Sequence, residues 1–481
     1  MNLKLVSRYI GIALLFNAAF MFLSAIVSAL YHFDSSFSPL IISAIITTVV
    51  GVFPIVFVRT SDDVDTKEGF MITVLSWVLV CIFGMLPYVL WGGDFTLSNA
   101  WYESVSGYTT TGGTIVADVE SLPKGLLFWR SSTHFIGGIG VVIFMIMVLP
   151  AVSVFRLRIS KMEISSLSKD NYKYKSREIV RIIGAVYLGI TIVTIILYMF
   201  AGMNFYDAVN HAFSVVSTGG FSTKNLSIKA FDSFPIELIT MVFMVAASTH
   251  FGLIYSSIVN RNLSVFRSPV IKLYLAMITV SSVLISLNLL AAHNFDSWLL
   301  ALRHSFFQVI SIASTTGFAT VDSSVWPLFS IMILLLLSMT TASTGSTTGG
   351  IKLDRILIFF KSLKSQIVKQ LHPNAVVGIK VGKTIVESST ALKVALFIAL
   401  YLTITGVSSI LLSLTGINLM EATSSSIAAI GNVGPGFDSC GSLGNYLHFT
   451  DMAKFILTIE MLFGRLEIYP LLLIFTLHRK N

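Results

Sequence analysis

Long apolar runs separated by short polar segments are the dominant pattern along the chain. A membrane-spanning helix needs about 20 predominantly apolar residues. The ten candidate spans are residues 9–30, 40–58, 70–91, 126–152, 179–201, 235–259, 269–292, 326–339, 392–414 and 453–477. The first run is too long for the apolar part of a signal peptide, and we interpret it as a retained helix. The pattern predicts an all-α, polytopic membrane protein.

Composition supports this fold class. Hydrophobic residues make up 54% of the 481 residues and charged residues only 12%, whereas about a quarter of a soluble domain is charged. An ordinary soluble protein and a disordered chain are both excluded, because neither combines so much apolar surface with so little charge.

Lysine and arginine are concentrated in two segments between the spans. One cluster follows the fourth run and contains Arg156, Arg158, Lys161, Lys169, Lys173, Lys175, Arg177 and Arg181. The other follows the eighth run and contains Lys352, Arg355, Lys361, Lys364, Lys369, Lys380 and Lys383. Cytoplasmic loops carry such an excess, so both clusters, and with them both termini, are predicted to be cytoplasmic. The net charge of +8 then reflects the basic residues of the cytoplasmic segments, and we expect no nucleic-acid partner.

The stretches on the opposite side, residues 92–125, 203–233, 293–325 and 415–450, are poor in basic residues and share a motif around a glycine. The four glycines are Gly112, Gly220, Gly317 and Gly434. Two residues before them lie Thr110, Thr218, Thr315 and Asn432, and nine residues before them lie Glu103, His211, Gln308 and Ser425. An internal repeat of this kind indicates a repeated structural unit.

The repeat predicts two leading helices followed by four helix–pore loop–helix units in a pseudo-fourfold arrangement around one pore. The predicted units are a two-helix N-terminal unit at 1–66 and pore repeats at 67–175, 176–264, 265–385 and 386–481. The third repeat would also contain an intramembrane loop.

Non-helical backbone persists at membrane depth only where it is buried in protein or lines a water-filled path. Four glycine loops at one axis would direct carbonyl oxygens at a common point, as in the filter of potassium channels. Each preceding half-helix would direct its negative C-terminal end to the same point. One such loop alone could be an ordinary external turn, but four copies in matching positions favour a cation site.

The four loops resemble the filters of the Trk/Ktr/HKT superfamily of cation transporters. The two leading helices and the motif Phe463-Gly464-Arg465-Leu466-Glu467-Ile468 are similar to its bacterial Trk branch. The resemblance covers essentially the whole chain. The selectivity-filter residues that it implies are Thr110, Thr111, Gly112, Thr218, Gly219, Gly220, Phe221, Thr315, Thr316, Gly317, Asn432, Val433 and Gly434.

The same resemblance implies further properties. A glycine in every filter goes with potassium selectivity, so potassium is the expected transported ion, with no organic cofactor in this chain. The expected assembly is a homodimer in the lipid bilayer of the bacterial inner membrane, gated by a cytosolic, nucleotide-binding TrkA-like ring. The basic segments are the expected contact for that ring, although simple positive-inside anchoring explains them equally well.

Two features bear on gating. The run 341–350 interrupts the last helix of the third repeat with small and hydroxylated residues, which form weak helix. By resemblance the gate and pore constriction comprise Thr344, Gly345, Ser346, Thr347, Thr348, Gly349, Gly350 and Arg465. A close-packing seam is the alternative interpretation of the run. Arg465 lies in an apolar helix, so it should face the pore or a partner such as Glu467.

Other chemistry finds little support in the sequence. The two cysteines, Cys81 and Cys440, have no second Cys or His at metal-ligand spacing, so we expect neither a disulfide framework nor a zinc site. His134 and His250 are interpreted as packing residues rather than proton carriers. No paired carboxylates or nucleophile–base signature indicate an enzyme. We therefore expect potassium uptake through a gated, channel-like pore; the alternative is a proton- or sodium-coupled symporter.

Overall fold

The computed structural model describes residues 2–58, 66–148, 176–373, 377–381 and 384–477. Several basic residues used for the topology prediction lie outside this part of the chain, namely Arg156, Arg158, Lys161, Lys169, Lys173, Lys175 and Lys383. The described part is mostly helical, as predicted, with four short strands. Its helices form a leading pair and, in each predicted repeat, an incoming helix, a short helix before the glycine loop and an outgoing helix.

The leading pair consists of α1 (Leu3–Leu30) and α2 (Phe37–Phe57). The predicted first repeat contains α3 (Thr66–Gly84), α4 (Leu86–Trp91), α5 (Leu97–Tyr108) and α6 (Lys124–Val148). The predicted second repeat contains α7 (Ser176–Phe200), α8 (Phe205–Val216), α9 (Phe234–Ala247) and α10 (Phe251–Val259), and α11 (Ser264–Arg267) crosses its predicted end at residue 264.

The third repeat contains α12 (Pro269–Ala291), α13 (Trp298–Ala313), α14 (Leu328–Met339) and α15 (Leu353–Leu371). The fourth contains α16 (Ser388–Leu414), α17 (Leu419–Gly431), α18 (Asp451–Arg465) and α19 (Ile468–Leu477). Strands β1 (Thr340–Thr341) and β2 (Ile351–Lys352) pair in parallel, and β3 (Ile379–Val381) and β4 (Thr384–Val386) pair antiparallel. Short 3-10 turns lie at Val119–Ser121, Ser227–Phe231, Ser323–Val325 and Asp438–Cys440.

The leading pair packs closely because glycines face each other. A Cβ at Gly11 would lie 2.5 Å from the carbonyl oxygen of Gly51, so only glycine allows this approach of the two helices. Arg8 near the start of α1 donates to the carbonyl oxygen of Ile55 over 2.6 Å. The pair therefore forms a tight hairpin.

The loop between α1 and α2 connects this hairpin to the first repeat. The Asp34 carboxylate accepts hydrogen bonds from the hydroxyls of Ser28 and Ser36 and from the backbone N–H of Gly125 in α6. Burial alone raises the pKa of Asp34, but these hydrogen bonds outweigh burial and lower that pKa below its usual value. The ionised carboxylate therefore stabilises the junction.

Among the described residues, six helices are long and apolar enough to cross a membrane. They span Leu3–Leu30, Phe37–Phe57, Lys67–Trp91, Arg181–Phe200, Pro269–Ala291 and Ser388–Leu414. Large apolar side chains such as Phe53, Phe200 and, on α14, Leu336 are exposed on the outer faces of the helices. Exposed apolar faces on helices of this length are typical of contact with lipid, and the chain is a multi-pass membrane protein.

Three of the predicted continuous runs are interrupted in the structure, and in run 70–91 the break between α3 and α4 is the single residue Met85. Run 235–259 forms α9 and α10, which meet at an angle of 101°. The break has a local cause, because the His250 side chain accepts a hydrogen bond from the N–H of Gly252 and so begins a new helix. Run 453–477 is interrupted at Leu466 and Glu467, between α18 and α19. Apolar content alone did not reveal these interruptions.

Candidate functional site

The four short helices α5, α8, α13 and α17 all end in the same backbone motif. The residue two before each motif glycine adopts a left-handed conformation, with φ of 54° at Thr110, 56° at Thr218, 56° at Thr315 and 51° at Asn432. The next residue donates its N–H to a carbonyl five residues earlier, over 2.8–2.9 Å. This is a Schellman motif, which normally has glycine at the left-handed position. β-Branched threonine is strained there, and such strain is typical of functional sites.

The four motif glycines contact one another's loops in a closed cycle. Their φ values are 83°, 83°, 77° and 96° at Gly112, Gly220, Gly317 and Gly434. A Cβ at Gly112 would lie 2.0 Å from the Gly219 carbonyl oxygen, and one at Gly220 would lie 1.9 Å from that of Thr316. A Cβ at Gly317 would lie 2.5 Å from the oxygen of Val433, and one at Gly434 would lie 2.4 Å from that of Thr111. Each loop thus abuts the next, and the fourth abuts the first.

This cycle brings together the predicted filter residues of all four loops, including their backbone carbonyls. All four glycines line a single cavity, together with Thr114 and Ser222. Glycine is required at these positions for two reasons, the positive φ and the neighbouring backbone oxygen. Backbone atoms, rather than side chains, therefore form the narrow part of the site.

A buried ion pair contacts the segments that follow the first two glycine loops. Glu103 lies 2.5 Å from the Nε of Arg130, and both side chains are almost fully buried. The other Glu103 oxygen accepts the N–H of Ile115 over 3.0 Å, and Arg130 donates to the carbonyl oxygen of Ser222 over 3.1 Å. The pair therefore connects the segment after the first glycine loop to the segment after the second.

The equivalent polar residues in repeats two and three act in the same way. The His211 Nε2 lies 2.9 Å from the Ser222 hydroxyl. Gln308 donates to the carbonyl oxygen of Val321 over 2.7 Å. In the first three predicted repeats, the polar residue nine positions before the glycine therefore binds the segment that follows the glycine loop.

Phe221 contributes packing at the second glycine loop. Its ring stacks on His134 with 4.0 Å between centroids, and the Arg130 guanidinium lies 3.6 Å from the ring centre in a cation–π contact. His134 also explains why the second loop has Gly219 where the first and third loops have Thr111 and Thr316, because a Cβ at Gly219 would lie 2.3 Å from the His134 Nδ1. The histidine is a packing residue, as expected, and it packs directly against the second glycine loop.

The fourth loop differs because its asparagine side chain joins it to its neighbours. Asn432 donates to the Thr111 hydroxyl over 3.0 Å and to the carbonyl oxygen of Met461 over 2.9 Å. Tyr446 donates to the carbonyl oxygen of Gly434 over 2.9 Å. Among the described residues, these contacts have no counterpart in the other three loops, so the site is not strictly fourfold.

The predicted intramembrane run, residues 341–350, begins in β1 and continues as a loop over residues 342–350 that interrupts the third outgoing helix. It lies against the C-terminal ends of the short helices. The N–H of Gly349 donates to the Thr315 hydroxyl over 3.3 Å, and the Thr347 hydroxyl donates to the carbonyl oxygen of Val216 over 3.2 Å. A Cβ at Gly349 would lie 2.4 Å from the carbonyl oxygen of Gly431. The loop that carries the predicted gate residues 344–350 is therefore in direct contact with the filter motifs.

Arg465 is buried and contacts this loop. Its guanidinium donates to the carbonyl oxygen of Thr347 over 2.6 Å and to that of Gly137 over 2.8 Å. Glu467 instead pairs with Arg355 over 2.5 Å. The alternative of a local Arg465–Glu467 pair is therefore wrong.

Two charged residues next to the loop were not recognised from the sequence. Lys352 is buried, and its ammonium group donates to the Thr348 hydroxyl over 2.9 Å. Asp354 accepts the N–H of Thr344 over 2.9 Å. Lys352 was assigned to the cytoplasmic charge cluster, and only its position directly after the hydroxyl-rich run could have indicated its role in the loop.

Comparisons with known proteins agree with this architecture. Residues 38–481 match the family TrkH, described as "Cation transport protein". The Trk system potassium uptake protein TrkH of Salmonella typhimurium is 32% identical over 99% of both chains. The Trk system potassium uptake protein TrkG of Escherichia coli is 34% identical over 85% of both chains.

A solved structure shows the same fold. The crystal structure of the potassium transporter TrkH from Vibrio parahaemolyticus superimposes with a TM-score of 0.89 and 29% identity, over 100% of each chain. The sequence resemblance to the bacterial Trk branch is thereby confirmed. The chain belongs to the TrkH family of cation transport proteins.

Proposed function

We propose that this protein takes up potassium through a gated, channel-like pore. The observation that carries the proposal is the closed cycle of four glycine loops. The carbonyls of Thr111, Gly219, Thr316 and Val433 each meet the motif glycine of a neighbouring loop. A ring of backbone oxygens replaces the hydration shell of a potassium ion without any charged side chain.

The ends of the short helices add an electrostatic contribution. Helices α5, α8, α13 and α17 all end three or four residues before their motif glycine. Each C-terminus carries roughly half a negative charge. Four such ends around one cavity attract cations and repel anions, and they do so without a carboxylate that would bind a cation too strongly to release it.

Potassium is the preferred substrate because all four filters keep their glycine. The names of the two curated relatives specify potassium uptake, and both relatives match at 32–34% identity. Coupled symport has less support, because alternating-access transporters use discontinuous helices in paired halves around one midplane site. Here four similar loops instead close one ring.

The gate is assigned to the 342–350 loop together with Arg465. The loop contacts three of the four short helices at their C-terminal ends, and Arg465 holds it through the carbonyl oxygen of Thr347. A buried arginine on the path of a cation is itself an electrostatic barrier. Opening then requires this hydrogen bond to break and the loop to move aside.

The remaining assembly is proposed as follows. The chain lies in the bacterial inner membrane as a homodimer with both termini in the cytoplasm, and its repeats are divided at 66, 175, 264 and 385. A cytosolic, nucleotide-binding TrkA-like ring binds the basic side. Helix α15 supports this contact, since it exposes Lys361 and Lys364 on one of the two basic segments.

Rubidium uptake into liposomes that contain the purified protein tests the proposed function. External potassium should compete with rubidium, and sodium at the same concentration should not. Equal competition by sodium would contradict the potassium filter. Deletion of residues 345–347 should raise the uptake rate, and unchanged or slower uptake would contradict the gate.

A further inference from the structure

Three side chains of metal-ligand type meet beside the filter cavity. They are Glu421, Cys440 and His448, and their candidate ligand atoms all lie within 4.8 Å of one another. They come from three separate segments: the first turn of α17, the 3-10 turn at Asp438–Cys440, and the stretch before α18. Folding, rather than sequence proximity, brings them together.

One hydroxyl group lies between all three side chains. The Ser439 Oγ hydrogen-bonds to the Glu421 carboxylate, lies 2.8 Å from the His448 Nε2, and lies 3.7 Å from the Cys440 Sγ. The carboxylate and the imidazole are themselves 3.9 Å apart. The three donors therefore already surround a position that a polar atom occupies.

The donor set selects among metal ions. Thiolate, imidazole and carboxylate together suit zinc, whereas calcium and magnesium prefer oxygen ligands alone. Tetrahedral zinc with bonds of about 2.0–2.3 Å separates its ligands by roughly 3.5 Å. The donors would need to approach one another by about 1 Å to reach this spacing, and rotation of the exposed His448 side chain and of Ser439 allows this.

We propose that Glu421, Cys440 and His448 bind one zinc ion, with the Ser439 hydroxyl or a water molecule as the fourth ligand. The sequence predicted no zinc site, because His448 follows Cys440 by too many residues for a standard ligand pair. The third ligand lies in a different helix, which sequence spacing cannot reveal.

The position of the site indicates what the metal would do. Cys440 lines the same cavity as the four filter glycines, and its carbonyl oxygen accepts the N–H of Gly436, two residues after Gly434, over 2.8 Å. A zinc ion would join this loop to the start of α17 and to the stretch before α18. A zinc ion bound here would thereby restrain the segment that follows Gly434 in the fourth loop.

Zinc and cadmium binding to the purified full-length protein tests this proposal. Wild-type protein should bind one zinc ion per chain in calorimetry, and cadmium should produce the near-ultraviolet absorption of a cadmium–thiolate bond. Cys440→Ser should abolish the absorption, and Cys440→Ser, His448→Ala and Glu421→Gln should each weaken zinc binding by about tenfold or more. Zinc should raise the unfolding temperature of wild type but not of Cys440→Ser.

Matched controls separate this site from other thiols and imidazoles. Cys81→Ser changes the second cysteine, which is fully buried in the apolar core around α3, and His372→Ala changes an exposed histidine at the end of α15. Both should keep wild-type metal binding. His448 is 48% exposed, so His448→Ala should fold normally and provides the test if a variant at Cys440 does not. Unchanged zinc affinity in folded His448→Ala, or cadmium absorption that survives Cys440→Ser, would overturn the proposal.

Discussion

Replacing Gly112 by serine should reduce the preference of the pore for potassium over sodium. A Cβ at this position would lie 2.0 Å from the carbonyl oxygen of Gly219, far inside van der Waals contact. The backbone of the second loop must therefore move, and with it a carbonyl of the proposed ion site.

The size of the effect follows from two costs. A side chain at φ of 83° costs about 1–2 kcal/mol, and forced overpacking of a dense region costs about 1–3 kcal/mol. If only about 1.4 kcal/mol of this falls on the potassium-bound state and not on the sodium-bound state, selectivity falls about tenfold. We therefore expect at least a tenfold lower potassium-to-sodium permeability ratio, measured from reversal potentials in planar bilayers.

Gly416→Ser is the matched control. Gly416 has a similar φ of 90°, but no atom of another segment lies within 4 Å of the position that a Cβ would occupy. This variant carries the conformational cost without the clash, so its permeability ratio should equal that of wild type. The reasoning is refuted if Gly112→Ser keeps the wild-type ratio, or if Gly416→Ser lowers it equally.

Three further variants test other parts of the structure. Arg465→Gln removes the charged donor to the Thr347 carbonyl, worth about 1.5–3 kcal/mol, and should raise rubidium uptake about tenfold or more. Glu103→Gln leaves Arg130 buried without a counter-charge, at a cost of about 3–5 kcal/mol, and should lower both the unfolding temperature and the selectivity. Asp34→Asn should destabilise the protein at neutral pH; because the folded-state pKa of Asp34 is lowered, this difference should shrink as the pH falls below about 4.

Each of these has a distinct contradicting result. Uptake by Arg465→Gln at or below the wild-type rate would argue against a closed loop held by this residue. A Glu103→Gln protein with wild-type stability would show that the ion pair is not needed behind the filter. A stability difference for Asp34→Asn that stays constant from neutral to acidic pH would exclude ionisation as its cause.

The sequence was informative where the structure repeats. Gly112, Gly220, Gly317 and Gly434 occupy equivalent positions, and a conformation that only glycine tolerates leaves a signal in the sequence. The family assignment also confirms that the chain is a transport protein and not an enzyme.

What could not be predicted depends on contacts between distant segments. The bend of 101° between α9 and α10 arises at a single capping histidine, within a run that is apolar almost throughout. Arg465 hydrogen-bonds to the carbonyl oxygen of Thr347 and does not pair with Glu467. Thr347 and Arg465 are 118 residues apart in sequence, so only tertiary packing brings them together. The sequence placed Lys352 in a cytoplasmic basic cluster. Its burial could not be predicted, because burial of a lysine depends on the segments that pack over it.

Reversal potential in proteoliposomes, under separately imposed potassium, sodium and pH gradients, tests the central claim most directly. A gated pore with a ring of carbonyl ligands predicts a reversal potential that follows the potassium gradient and is insensitive to the sodium and pH gradients. A reversal potential that shifts with the pH or sodium gradient at constant potassium would contradict it and indicate coupled transport.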